Sequence, residues 1–148
     1  MKVGKEYLET KIKSNMVDKA LFSSNTDDWS TPKDLYDKLN DEFNFTFDPC
    51  PLHSEVDGLK IDWGTSVFVN PPYSNIKGFL IKAHEELDKE SKTIVFLVPS
   101  RTDTKWFHEY VYGKAELRFI KGRLKFGNAK NSAPFPSMLC IFKSNDIT

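Results

Sequence analysis

The sequence predicts one α/β domain with a mostly parallel sheet, helices on both faces and an antiparallel hairpin at one edge. Three observations carry that expectation. The run Thr93, Ile94, Val95, Phe96, Leu97, Val98, Pro99 is continuously apolar, as in a strand covered on both faces. A shorter apolar run, Ser66, Val67, Phe68, Val69, stops at two successive prolines, which fix φ and remove backbone donors. Segments with apolar residues at helical spacing lie before and between these runs.

Taken in order, residues 1–26 are polar and lysine-rich with scattered apolar positions, and are expected to form a loosely held arm. The domain proper is expected over 27–148. Residues 32–43 predict the first helix, with Leu35, Tyr36, Leu39 and Phe43 on one face. Thr31 suits its N-cap, Pro32 its first position and Asp34 its first turn. Residues 44–48 predict a first strand ending in Asp48-Pro49-Cys50. A carboxylate at the carboxyl end of a parallel strand stands in the crevice where α/β sheets bind ligands.

Residues 75–88 predict an amphipathic helix with Ile76, Phe79, Leu80, Ala83 and Leu87 toward the core and Glu85, Glu86 and Lys89 toward water. The apolar strand 93–99 then delivers Ser100 and Arg101 to the same rim as Asp48 and Asn70. Trp106, Phe107, Tyr110 and Val111 form a core-facing helical stripe that ends at Gly113. Residues 115–120 and 138–143 are the last two strands. The connection 121–130 between them is the basic patch of the chain, and over residues 114–130 Lys114, Arg118, Lys121, Arg123, Lys125 and Lys130 outnumber the single Glu116. Basic residues interleaved with Phe126 and glycines suit a loop that holds a phosphate backbone while an aromatic meets bases.

Composition bounds the rest. The chain has 148 residues, with 21 Lys and Arg balancing 21 Asp and Glu, so any nucleic-acid contact must come from clustering rather than net charge. Two distant cysteines, Cys50 and Cys140, make no disulfide framework, and a reducing cytoplasm is the simpler setting. No apolar run approaches the roughly 18 residues a membrane span needs, and residues 1–6 show no signal-peptide apolar region. Cys50 and His53 have a metal-like spacing but no second pair of ligands, so no metal is expected.

The stretch with chemistry is Asn70-Pro71-Pro72-Tyr73. The amino group of a planar base or carboxamide is a poor nucleophile because its lone pair is delocalised. A site that accepts hydrogen bonds from both N–H groups lets the nitrogen move toward tetrahedral geometry. The Asn70 side-chain oxygen and the Pro71 carbonyl are candidates for those acceptors, held stiff by the prolines before substrate arrives. Tyr73 is a candidate to stack on the base. As a plain structural element, the same string is a rigid turn after a strand.

On these residues the chain resembles amino-group methyltransferases, and more closely the phage-type DNA N-6-adenine methyltransferases. The matching pieces are Trp29-Ser30-Thr31-Pro32, Phe47-Asp48-Pro49-Cys50, Asp57-Gly58-Leu59, residues 67–74, Pro99-Ser100-Arg101 with Trp106-Phe107, Gly122-Arg123-Leu124 with Phe126, and Ala133-Pro134-Phe135-Pro136-Ser137. They span residues 27–143. The resemblance implies an abbreviated, Rossmann-like methyltransferase sheet, S-adenosylmethionine as methyl donor, DNA as partner, and a bacterial host cytoplasm as location. It implies catalytic roles for Asn70, Pro71, Pro72 and Tyr73. Trp29, Thr31, Pro32, Asp48 and Pro49 would lie against the cofactor, with Asp57, or else Asp62, on its adenosine half. Arg101, Lys121, Arg123, Lys125 and Phe126 would meet DNA, although Arg101 also suits a salt bridge within the rim.

Two departures from the family pattern stand out. No glycine-rich loop follows Asp48, and only about twenty residues separate Asp48 from Asn70, too few for two further strand–helix units. Two other readings stay open, the first supported by these departures and the second because, by the same resemblance, the motif serves several planar amines. One is a non-catalytic DNA- or protein-binding module on a methyltransferase-like frame. The other is methylation of a different planar amine, on cytosine or a protein glutamine.

Overall fold

In a computed structural model, residues 30–50, 57–126 and 132–144 are described. The expected arm at 1–26, Trp29 and Lys130 lie outside them. The elements are α1 (Lys33–Phe43), β1 (Ser66–Val69), a 3-10 turn (Tyr73–Asn75), α2 (Ile76–Lys89), β2 (Thr93–Pro99), α3 (Lys105–Tyr110), β3 (Glu116–Phe119) and β4 (Ser137–Lys143).

The four strands lie in the order β1-β2-β4-β3. β1 and β2 are parallel, with Val67 opposite Ile94. β4 runs antiparallel to β2, Phe96 opposite Cys140, and antiparallel to β3, Leu117 opposite Cys140. The domain is therefore α/β with a mixed sheet, and the expected mostly parallel arrangement is corrected. The expected first strand contributes a single parallel bridge, Phe47 to Val67, because the short link from Asp48 to Asn70 has no room for a helical crossover. The expected hairpin pairing of the last two strands is present, but β4 sits inside the sheet and β3 forms the edge.

Side chains alternate cleanly across this sheet, as period-two geometry requires. Val67, Val69, Ile94, Phe96, Val98, Met138, Cys140 and Phe142 pack with Phe79, Leu80 and Ala83 of α2 and with Phe107. Phe68, Val95, Leu97, Leu139 and Ile141 pack with Leu39 of α1. Helices thus cover both faces, and β1, β2 and β4 are apolar on both sides, whereas the edge strand β3 carries Glu116 and Arg118.

The helix starts differ from expectation in one respect. Helix α1 begins at Lys33 with Pro32 at the N-cap position and no side-chain cap, so Thr31 does not cap it. Asn75 caps α2 by accepting the Gly78 N–H at 3.1 Å, and Thr104 caps α3 through the Phe107 N–H at 3.3 Å.

Glu86, expected toward water, is fully buried. It accepts the Trp63 N–H at 2.9 Å and pairs with Lys82 at 3.0 Å, Lys89 at 2.6 Å and Lys92 at 3.2 Å. Lys92 is itself buried and donates to the Trp63 and Gly64 carbonyls at 2.7 and 3.0 Å. The lead-in to β1 folds over α2, and the helical spacing of Glu86 carries no trace of that cover. Burial alone would raise the Glu86 carboxyl, but hydrogen bonds from Lys89, the Trp63 N–H, Lys82 and Lys92 hold it at about 2.

Candidate active site

The topology gathers one rim. The carboxyl ends of β1 and β2 lie at the same end of the sheet because the two strands are parallel. β4 is antiparallel and enters there at Ser137, opposite Pro99. β3 leaves there, with the Ile120 N–H on the Ser137 carbonyl at 3.2 Å. Asp48, residues 70–73, Arg101, residues 121–125 and Phe135 therefore share one edge of the domain, although they come from sequence positions far apart. Sequence reasoning placed the first three groups together; the fourth and fifth depend on the direction of β3 and β4.

At the centre stands Asn70. Its side-chain Nδ2 donates to Thr31 Oγ1 at 3.0 Å, and its main-chain carbonyl accepts from Cys50 Sγ at 3.3 Å. The next carbonyls divide sharply. The Pro72 carbonyl accepts the Asn75 N–H at 3.0 Å, whereas no described residue donates to the Pro71 carbonyl. Pro71 is buried and Pro72 half-buried, with Pro72 at φ −62°, the value its ring imposes. The turn is stiff by construction.

Tyr73 is half-buried and meets Phe135 edge-to-face, with ring centroids 5.3 Å apart. Burial raises its phenol, against a smaller opposing influence of Arg101. Phe135 in turn packs against Phe126 at 6.2 Å. The sequence reading assigned Phe135 no role. Its signals were an aromatic held between Pro134 and Pro136 just before a strand, and its place in the matching piece at residues 133–137.

Phe126 is corrected. It is 3% exposed and belongs to the core cluster on the α1 face, so its ring is not presented to a nucleic-acid base. Lys121, Arg123 and Lys125 beside it are exposed, as is Arg101. Gly122 has φ +77°, a left-handed bend that favours glycine within the basic segment. Arg118 does not join this patch. It forks onto Glu42 with two contacts of 2.7 Å, pairs with Glu116 at 2.6 Å and lies over the Phe43 ring.

Asp48 is linked to Asn70 through Cys50, whose N–H it accepts and whose Sγ donates to the Asn70 carbonyl. Its Oδ1 accepts the Cys50 N–H at 2.9 Å. Desolvation by burial pushes its carboxyl up to about 6, against the lowering effect of that hydrogen bond. Among the described residues no lysine or arginine pairs with it. A desolvated carboxylate of this kind is suited to an incoming cation. The Asp57 turn lies against this strand end, because Gly58 is buried and a Cβ there would fall inside the Pro49 carbonyl. Asp57 itself is exposed, and its Oδ1 accepts the Leu59 N–H at 2.9 Å. Asp62 is paired with Lys89 at 2.8 Å.

Among the described residues, no cluster of three or more His, Cys, Asp or Glu could hold a metal ion, and no helix is long and apolar enough to cross a membrane.

A DNA N-6-adenine-methyltransferase of Haemophilus phage HP1 (strain HP1c1) is 30% identical over 139 residues, covering 81% of this chain and 80% of that protein. A DNA N-6-adenine-methyltransferase of Escherichia phage T1 is 30% identical over 109 residues, covering 65% of this chain and 45% of that protein. Residues 18–146 match the family described as DNA N-6-adenine-methyltransferase (Dam), and the chain belongs to that family.

Proposed function

We propose that this protein transfers a methyl group from S-adenosylmethionine to the 6-amino group of adenine in DNA, with the base turned out of its stack into the Asn-Pro-Pro-Tyr turn. The observation that supports it best is the placement of Asn70 at the carboxyl end of β1, held by Thr31 and Cys50, with Asp48 linked to it through Cys50.

When bound, S-adenosylmethionine supplies a methyl on a sulfonium centre, a leaving group that needs no strong general base. The residues of the chain do the rest. Asp48 would receive an ammonium group, and the main chain of the Thr31-Pro32 segment, Pro49 and the Asp57 turn would line the remainder of the cofactor pocket, leaving the Thr31 hydroxyl to Asn70. The Asn70 side-chain oxygen and the Pro71 carbonyl accept the two amino N–H groups and face the positive charge that develops on nitrogen. Tyr73 stacks on the base and Pro72 keeps the turn rigid. A base within a duplex cannot reach such a turn without leaving its stack. Arg101, Lys121, Arg123 and Lys125 hold phosphates.

The test is transfer of labelled methyl from S-adenosylmethionine to unmethylated oligonucleotides that contain adenine and no cytosine. Label in the oligonucleotide is the expected result. Label appearing instead only on cytosine-containing DNA, or on a protein acceptor, would assign the turn to a different planar amine. Absence of cofactor binding and of transfer would leave a non-catalytic binding module.

Two quantitative expectations accompany this reading. The first concerns pH. With its carboxyl pushed up to about 6, Asp48 is protonated below that value and loses its attraction for an ammonium group. Cofactor affinity measured by calorimetry should therefore fall as pH drops through 6, by up to about tenfold per unit. Asp48→Asn should bind weakly at pH 8 and lose this dependence. The same raised carboxyl makes the folded protein relatively more stable below pH 4 than above 6, so Asp48→Asn should melt higher than the parent at pH 8 and close to it at pH 4.

The second concerns salt. Each phosphate contact removed lowers the slope of log affinity against log salt by about 0.9 on duplex DNA. Replacing Lys121, Arg123 and Lys125 together by alanine should lower that slope by about 2 to 3, as measured by fluorescence anisotropy at several salt concentrations. An unchanged slope would remove this segment from the DNA interface.

A further inference from the structure

The bond between Thr31 and Asn70 joins two segments 39 residues apart. Both side chains are half-buried. A carboxamide has two orientations of nearly equal shape, one presenting oxygen and the other presenting N–H groups. Only the first can accept a hydrogen bond from a substrate amino group; the second sets donor against donor. We propose that Thr31 is a positioning residue for methyl transfer: its Oγ1 accepts from Asn70 Nδ2 at 3.0 Å and so selects the orientation in which Asn70 Oδ1 serves the substrate amine. This rests on Asn70 being the amine acceptor.

The surroundings make Thr31 suited to that task. It precedes Pro32, whose ring fixes φ near its observed −57°. Pro32 is tied in turn to α1 through the Tyr36 N–H on its carbonyl at 3.0 Å. Tyr36 packs edge-to-face on Phe68 of β1 at 5.3 Å. The hydroxyl is therefore anchored to the same strand that delivers Asn70. The main chain of Asn70 is held separately by Cys50 Sγ at 3.3 Å, so loss of the Thr31 hydroxyl frees the amide to rotate without moving the turn. The N-cap position of α1 is Pro32, which has no side-chain acceptor, and the Thr31 hydroxyl one residue earlier is directed to Asn70.

The test compares Thr31→Val, Thr31→Ala and Thr31→Ser, each with kcat on DNA and with cofactor affinity measured separately by calorimetry. Loss of the hydroxyl should lower kcat roughly ten- to a hundredfold. Cofactor affinity should stay within about threefold, and Thr31→Ser should restore kcat to near the parent value. The alanine variant is run beside valine so that a packing defect in one is recognised.

A second arm uses Asn70→Asp, whose two oxygens make either orientation an acceptor. On that background Thr31→Val should change kcat by no more than about twofold. An unchanged kcat in Thr31→Val would overturn the assignment. So would a loss that tracks cofactor affinity, or one that persists undiminished with Asp at position 70. Full activity in Asn70→Ala would overturn the role of Asn70 and that of Thr31 with it. An inactive Asn70→Ala beside a fully active Thr31→Val would overturn the Thr31 role alone.

Discussion

Asn70→Ala is expected to lower methyl transfer by about 10² to 10³ in kcat, the cost of removing one acceptor aimed at developing charge, while S-adenosylmethionine binds within a few-fold of the parent. The separation follows from position. Asp48 is held by the Cys50 N–H and not by the Asn70 amide, so removing the amide leaves the proposed cofactor contacts of Asp48 in place. The backbone of the turn should also survive, since Cys50 Sγ and the Asn75 N–H hold the carbonyls of Asn70 and Pro72. Single-turnover transfer to DNA and calorimetric titration of the cofactor make the comparison. Undiminished turnover would remove Asn70 from the reaction, and loss of cofactor binding in step with turnover would move it into the cofactor pocket.

The other large effect is on stability and lies far from the rim. Glu86→Ala is expected to destabilise the fold by about 3 to 5 kcal/mol, the range for breaking a buried ion pair from one side. Lys92 has 1% of its side chain exposed. It would keep the carbonyls of Trp63 and Gly64 and its contact with Glu90 at 3.2 Å, but would lose the one fully buried carboxylate beside it. Lys82 also loses its partner, and the Trp63 N–H loses its acceptor. Against a total stability of about 5 to 15 kcal/mol for a domain of this size, that is a large fraction. Urea unfolding at pH 7 measures it.

Replacing the buried pair together, Glu86→Leu with Lys92→Met, should recover much of the loss, because both charges then leave the interior. If Glu86→Ala unfolds within 1 kcal/mol of the parent, the network is not holding the lead-in to β1. The pH dependence has a definite sign. The folded carboxyl is lowered to about 2, so its contribution is present at neutral pH and is lost as pH falls from the ordinary carboxylate range toward 2.

The elements legible in the sequence are those set by local pattern. Strand β2 occupies Thr93–Pro99, the span its apolar run marks out, and β1 ends where the prolines remove its donors. The helical stripes of α1 and α2 follow from spacing alone, and the Asn-Pro-Pro-Tyr turn was recognisable because a rare string of stiff residues follows a buried strand. The family was legible for the same reason: its signature pieces are short, contiguous and in order.

What spacing could not supply is whatever depends on long-range pairing. Nothing local in Ser137–Lys143 says that this strand runs antiparallel between β2 and β3, yet that placement brings Phe135 and the basic segment to the rim beside Asn70. Glu86 sits at a position that helical periodicity assigns to solvent, and only the chain folding over from Trp63 buries it. Phe126 reads as an aromatic in a basic loop until the packing of Phe135 draws it into the core. Thr31 reads as a helix cap because local propensity rewards a hydroxyl there. Its partner proved to be Asn70, 39 residues away, since a hydrogen bond across the crevice depends on how two distant segments meet and leaves no mark on the residues around either one.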